Sequence, residues 1–209
     1  MKLKLLVTLV AASALALVPT AAAATPYSEG FESGAAKLWT LTGLWNVNDC
    51  IAASGTYALV YNVHPQCNYD VGYSNGAATT PPIVVQGPSS LNFESYIQTE
   101  QWCGAYDVAH VLVSVNDGPY NVVLNNLECG PDSAWTLYSV DLTPYVGNSV
   151  RVQFYFDTGD GWVNNYLGWA IDNVAISGPA YPTPELGSLA LAGAGVAVVA
   201  GVALVNRRK

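Results

Sequence analysis

Ser149-Val-Arg-Val-Gln-Phe-Tyr-Phe156 alternates cleanly, with Val150, Val152, Phe154 and Phe156 on one side and Arg151, Gln153 and Tyr155 on the other. A period of two belongs to a pleated strand, and four bulky apolar residues on one face mark that face as buried. Further stretches upstream and downstream carry β-branched and aromatic residues at similar spacing: Tyr57–Tyr61, Ser90–Tyr96, Val108–Val115 and Leu167–Ile176. Val108–Val115 and Tyr120–Leu124 flank the turn Asn116-Asp-Gly-Pro119 and read as a hairpin, with Val111, Val113 and Val115 on one face and Leu112 and Ser114 on the other. Gly130-Pro131-Asp132 and Asp157-Thr-Gly-Asp-Gly161 supply further turns. Nothing between residues 25 and 180 has helical periodicity, and no internal repeat is visible. The expectation is an all-β chain: an antiparallel two-sheet sandwich of jelly-roll type.

Two apolar segments bracket this region. Lys2 and Lys4 precede an uncharged run from Leu5 to Leu17, and Ala21–Ala24 provides the small residues of a cleavage site. Residues 1–24 therefore read as a signal peptide. At the other end, residues 186–205 form an uncharged stretch long enough to cross a bilayer as a helix, and the basic tail 206–209 would stay on the cytoplasmic side. Residues 25–180 are left as one domain, joined to the helix by a linker over residues 181–185. The chain is expected to be exported and held at a membrane.

Within residues 25–180, Lys37 and Arg151 stand against fourteen carboxylates, a balance of about −12 that exceeds the −8 of the whole chain. Such a surface repels nucleic acid and suits cations, divalent metal in particular. The four cysteines, Cys50, Cys67, Cys103 and Cys129, are an even number in an oxidising compartment. Of three pairings, Cys50–Cys67 and Cys103–Cys129 are preferred, because the second would staple the Val108–Leu124 hairpin beyond its open end. Each local loop contributes about 3 kcal/mol.

Three blocks in order carry a family resemblance: Gly30-Phe31-Glu32-Ser33-Gly34 with Trp39 and Trp45; Trp135 to Gly147; and Val150-Arg-Val-Gln-Phe leading to Gly168-Trp169-Ala-Ile-Asp172-Asn173-Val174-Ala-Ile176. Their order resembles the MAM-like jelly-roll modules of secreted bacterial proteins, including cleaved-adhesin and choice-of-anchor J domains. The resemblance implies a non-catalytic module for adhesion or extracellular-matrix association, stabilised by a structural calcium between its first and last strands. On this chain it places the metal on Glu32 and Asp172, with Asp49 and Glu29 as additional ligands. The C-terminal tail resembles the tripartite sorting signals of the PEP-CTERM (exosortase) kind, which implies a sorting transpeptidase as partner. The family motif is Pro-Glu-Pro, whereas this chain reads Pro182-Thr-Pro184-Glu185.

Enzyme chemistry finds little support. His64 and His110 are the only histidines, no G-x-S-x-G elbow occurs, and no carboxylate pair is marked as special, although a hydrolase or lyase on this scaffold would need only two facing acids. Binding is better served. Trp102, Tyr106, Trp162 and Tyr166 fall in or beside loops, where flat rings backed by Asp160, Asn164 and Asn165 can stack on a sugar. The alternative is that these rings cap the ends of the sandwich. Trp39, Trp45, Trp135 and Trp169 read as core. A carbohydrate-binding module is thus the second reading, with extracellular polysaccharide or a surface protein as partner.

Overall fold

In the computed structural model, residues 27–100, 106–125, 127, 130, 133–178 and 180–182 are described. The stretches expected to form a signal peptide (1–24), a membrane helix (186–205) and a basic tail (206–209), together with Trp102, Cys103 and Cys129, lie outside them. Among the described residues no helix is long and apolar enough to cross a membrane.

Two antiparallel sheets face each other. The first contains β1 (Tyr27–Glu29), β3 (Trp45–Asn48), β4 (Ala58–Tyr61), β7 (Ser90–Gln98), β10 (Thr136–Asp141) and β12 (Gly168–Ser177), in the order β10-β7-β12-β4-β3. β1 lies beside β12 as well, Tyr27 opposite Ile176 and Glu29 opposite Val174. The opening strand therefore lies edge to edge with β12, the last long strand of the chain. The second sheet contains β2 (Thr40–Leu41), β5 (Asn75–Thr79), β6 (Ile83–Val85), β8 (Val108–Val115), β9 (Tyr120–Leu124), β11 (Ser149–Asp157) and β13 (Ala180–Pro182). β11 is its centre, paired with β8 along one side and with β5 and β6 along the other. β8 and β9 form the expected hairpin. Among the described residues the one helical element is a 3-10 turn at Thr143–Tyr145. β13 carries the sandwich two residues beyond the boundary expected at 180.

The strands exist because their apolar faces need each other. Val150, Val152, Phe154 and Phe156 of β11 are fully buried, opposite Leu59 and Tyr61 of β4, Leu91 and Phe93 of β7, and Trp169 and Ile171 of β12. Trp169 sits at the middle, its ring 5.4 Å from Trp45 and 5.9 Å from Phe154. Its indole N–H donates to Ser95 Oγ at 2.9 Å, which satisfies the one polar atom this large side chain brings inside. Trp39 stacks on Phe154 in the same core. Trp135 departs from the core reading. It is half-buried on the outer face of the first sheet, against Tyr96, in a small cluster with Ala58, Val60 and Ala170.

β12 contains a device that matters below. Its apolar residues fall at 169, 171, 174 and 176, a spacing that strict alternation cannot bury. A register shift between Asp172 and Ala175, with Asn173 at φ 50°, resets the pleat so that all four face inward. The shift takes Asn173 and Val174 out of the pairing with β7, and Asp172, the last paired residue before it, turns its carboxylate toward loop 49–57.

Cys50 and Cys67 form a disulfide. It closes a separation of 17 residues, worth about 3 kcal/mol through loop entropy. The link ties the β3–β4 turn to the chain after β4, where Val63 bridges Asn68 and His64 Nε2 meets Asp49 Oδ1 at 2.9 Å.

Candidate functional site

Two places hold the residues that sequence reasoning singled out. Their loops, 49–57 and 62–74, enter and leave the short strand β4.

At one end, loop 49–57 is held by two acids. Asp172, fully buried, accepts the main-chain N–H groups of Ala53 (3.0 Å) and Ser54 (3.1 Å) on Oδ2 and that of Asn173 (2.7 Å) on Oδ1. Glu32 accepts Thr56 N–H on both oxygens and Tyr57 N–H on Oε1, all near 3.0 Å. Gly55 lies between these clamps at φ +66°, and a Cβ there would stand 2.3 Å from the Glu32 carboxyl carbon. Only glycine lets the loop reach its acceptor. Burial raises the carboxyl pKa of Asp172, and the Ser54, Asn173 and Ala53 N–H groups oppose that rise.

Glu32 and Asp172, named as metal ligands, are thus brought to one loop. Asp49 and Glu29 are engaged elsewhere, Asp49 with His64 and Glu29 with the Phe31 N–H at 2.8 Å. Among the described residues no three His, Cys, Asp or Glu side chains gather to hold a metal ion. Calcium takes about six to eight oxygens, so at this loop it would draw most of them from main-chain carbonyls.

At the other end, where β11 finishes and β12 starts, loops 62–74 and 158–167 are zipped together. Ser74 N–H donates to Thr158 Oγ1 and Thr158 N–H to Ser74 O, both at 3.0 Å. Asn164 Nδ2 donates to Gly72 O at 3.2 Å, and a Cβ on Gly161 would sit 3.0 Å from the Tyr73 nitrogen. Polar main chain fixes both loops, and their apolar side chains are left outside. Trp162 is 77% exposed and Tyr73 58%, with Val71 and Val163 also open. Tyr106, also exposed, flanks them: the next residue, Asp107, donates its N–H to Thr158 O at 3.2 Å. Large apolar side chains left open on adjoining rigid loops mark a contact surface.

Of the expected ligand-binding residues, Trp162 and Tyr106 are on this surface. Tyr166 is half-buried against the core and closes the end of the sandwich, as the capping alternative has it. Tyr73 and Val71 were not anticipated. The only hint was Gly72 between them, a few residues past Cys67.

Beneath this surface lies Asp107, 1% exposed. Its Oδ2 accepts Tyr69 OH at 2.8 Å, while Oδ1 makes no well-formed hydrogen bond and lies near the Glu100 amide. Burial, with the charges of Glu100 and Asp160, lifts its carboxyl to about 6 against the opposing Tyr69 and Glu100 hydrogen bonds. Burial and the Asp107 charge also push the Tyr69 phenol well up. A carboxyl raised in the folded state stabilises the fold below its unfolded value, near 3.8, and that contribution is lost as pH rises through about 6. Asp107→Asn keeps an acceptor for Tyr69 without the charge. It should raise stability at pH 7.5 by about 1 kcal/mol and flatten the stability profile between pH 4 and 7, measured by urea titration. An unchanged slope would show that this carboxyl does not titrate there.

Most described carboxylates are occupied as acceptors. Asp141 caps Thr143 N–H and Asp160 caps Trp162 N–H; Asp157 takes the Gly159 N–H and Tyr155 OH, and Asp117 pairs with Arg151. Burial and Asp157 raise the Tyr155 phenol to about 12.

No protein-family model and no curated protein matches this chain. Among solved structures it is similar to TmCBM61, determined in complex with β-1,4-galactotriose, at TM-score 0.51 and 16% identity over 70% of this chain and 92% of that one. It is also similar to the K1 cleaved-adhesin domain of Lys-gingipain from Porphyromonas gingivalis W83 (TM-score 0.48, 18% identity, 73% and 98% covered). A third is the CBM22-1 xylan-binding domain of Paenibacillus barcinonensis Xyn10C (0.44, 17%, 75% and 96%). At such identities the likeness to TmCBM61 shows the jelly-roll sandwich and nothing finer.

Proposed function

We propose that this protein is an exported, non-catalytic binding module that holds extracellular polysaccharide in adhesion or matrix association, using the loop-end surface of Trp162, Tyr73 and Tyr106. The observation that carries this reading is the exposure of these rings on loops whose main chain is fixed by reciprocal hydrogen bonds. A preformed aromatic platform binds a sugar ring without a large ordering cost. The use of the carboxylates as main-chain acceptors supports a binding role over hydrolysis. Galactotriose bound to a module of the same sandwich architecture makes oligosaccharide a natural first ligand class to try.

Anchoring belongs to this proposal through the apolar run 186–205 and its basic end, with a sorting transpeptidase as the enzyme that would process it. Calcium is a separate proposal, resting on the shared loop of Glu32 and Asp172. A chelator should then lower the midpoint of thermal melting, and an unchanged midpoint removes the cation.

The experiment is a glycan array probed with the purified protein, followed by titration of the best oligosaccharide while tryptophan fluorescence is recorded. Saturable binding with a change in emission is expected, since Trp162 is the most exposed of the described indoles. Absence of binding to every glycan class would end the reading.

A further inference from the structure

The loop end carries aromatic surface and a one-sided charge. Asp70, Glu100, Asp157, Asp160 and the buried Asp107 lie in or beside its loops, while loops 62–74 and 158–167 contain no lysine or arginine. The described lysine and arginine are elsewhere: Arg151, near the start of β11 and so away from the end where that strand enters loop 158–167, is bonded to Asp117 and reaches Thr80 O, and Lys37 belongs to the β1–β2 connection. The field is felt inside the protein, where the charges of Glu100 and Asp160 help to keep the buried Asp107 carboxyl from ionising. Asp160 stands two residues from Trp162 and fixes the turn that carries it by accepting the Trp162 main-chain N–H at 2.9 Å. A carboxylate and an exposed indole are thereby placed together on one turn.

We infer that the polysaccharide bound here bears free amines: a polymer of glucosamine at least partly without N-acetyl groups. The inference rests on the polysaccharide reading and specifies its ligand class. A sugar ring would stack on Trp162 or Tyr73 while its ammonium group faces Asp160 and its neighbours, or lies over an aromatic face. Uronate or sulfated chains would meet uncompensated repulsion at the same place. Neutral glycans would gain the stacking alone.

The test titrates the full-length protein with partly deacetylated chitosan oligosaccharides, their fully N-acetylated counterparts, and β-1,4-galactan oligosaccharides. The amine-bearing oligomer is expected to bind about tenfold or more tightly than the acetylated one. Raising salt from about 20 to about 200 mM should weaken it several-fold. Asp160→Asn, which retains an acceptor for the Trp162 N–H, should weaken it about two- to fivefold with an unchanged melting midpoint. Trp162→Ala should abolish it. Equal affinity for acetylated and deacetylated oligomers, or binding indifferent to salt and to Asp160→Asn, overturns the inference and leaves the polysaccharide reading standing. Chitosan binding that survives Trp162→Ala is general attraction to an acidic protein and also overturns it. Binding of none of the three ends both.

Discussion

Asp172→Ala should cost about 4 kcal/mol or more of stability, read from denaturant midpoints. The carboxylate accepts three main-chain N–H groups, and two of them belong to a loop with no strand partner of its own at those positions. Removing it takes the acceptor from three part-buried donors, at about 1 kcal/mol or more each, and leaves a gap at a fully buried position. Asp172→Asn tests the same clamp more gently. The amide offers one acceptor oxygen instead of two and places an NH2 against N–H groups. It should fall between the wild type and alanine. An alanine variant within about 0.5 kcal/mol of wild type would mean that the loop holds itself, and the pairing of β1 with β12 would then be the only closure of the domain.

Replacing Trp162 and Tyr73 together by alanine should lower affinity for the bound polysaccharide by about a hundredfold or more while the melting midpoint stays put. Both side chains are mostly outside, so little packing is lost, and the loops keep their Ser74–Thr158 and Asn164–Gly72 hydrogen bonds. Aromatic anchors of this kind each contribute about 2 kcal/mol where they dominate an interface, and about 1.4 kcal/mol is tenfold in affinity. Trp135 with Tyr96 is the internal control. This second aromatic pair sits half-buried on the outer face of the first sheet, and Trp135→Phe should leave binding unchanged.

The strands that were legible in the sequence are those that bury large residues on one face. β11 and β8 alternate plainly, and the turn at Asn116–Pro119 announces the hairpin of β8 with β9. β5, Asn75-Gly-Ala-Ala-Thr79, has almost no strand propensity of its own; it is a strand because β11 pairs with it from Gln153 to Asp157. The resemblance of the last block singled out Asp172, which the structure sets in β12 against loop 49–57. Its partners differ from a cage of side chains, because main-chain N–H groups leave no trace in a sequence. Trp162 and Tyr106 could be found from their place in turns. Tyr73 could not, since nothing local shows that Gly72 and Gly161 allow two distant loops to pack face to face. Tyr166, four residues from Trp162, has the same loop character yet turns inward, a difference only tertiary packing decides.

The most direct test is to follow the six indole N–H resonances of the labelled protein by NMR during titration with its best oligosaccharide. Trp162, with the amides of residues 71–74, 106–107 and 158–164, should shift progressively, while Trp169 and Trp135 stay in place. Shifts confined to Trp135 and Tyr96, or to the Asp172 loop, would put the binding surface elsewhere and contradict the account.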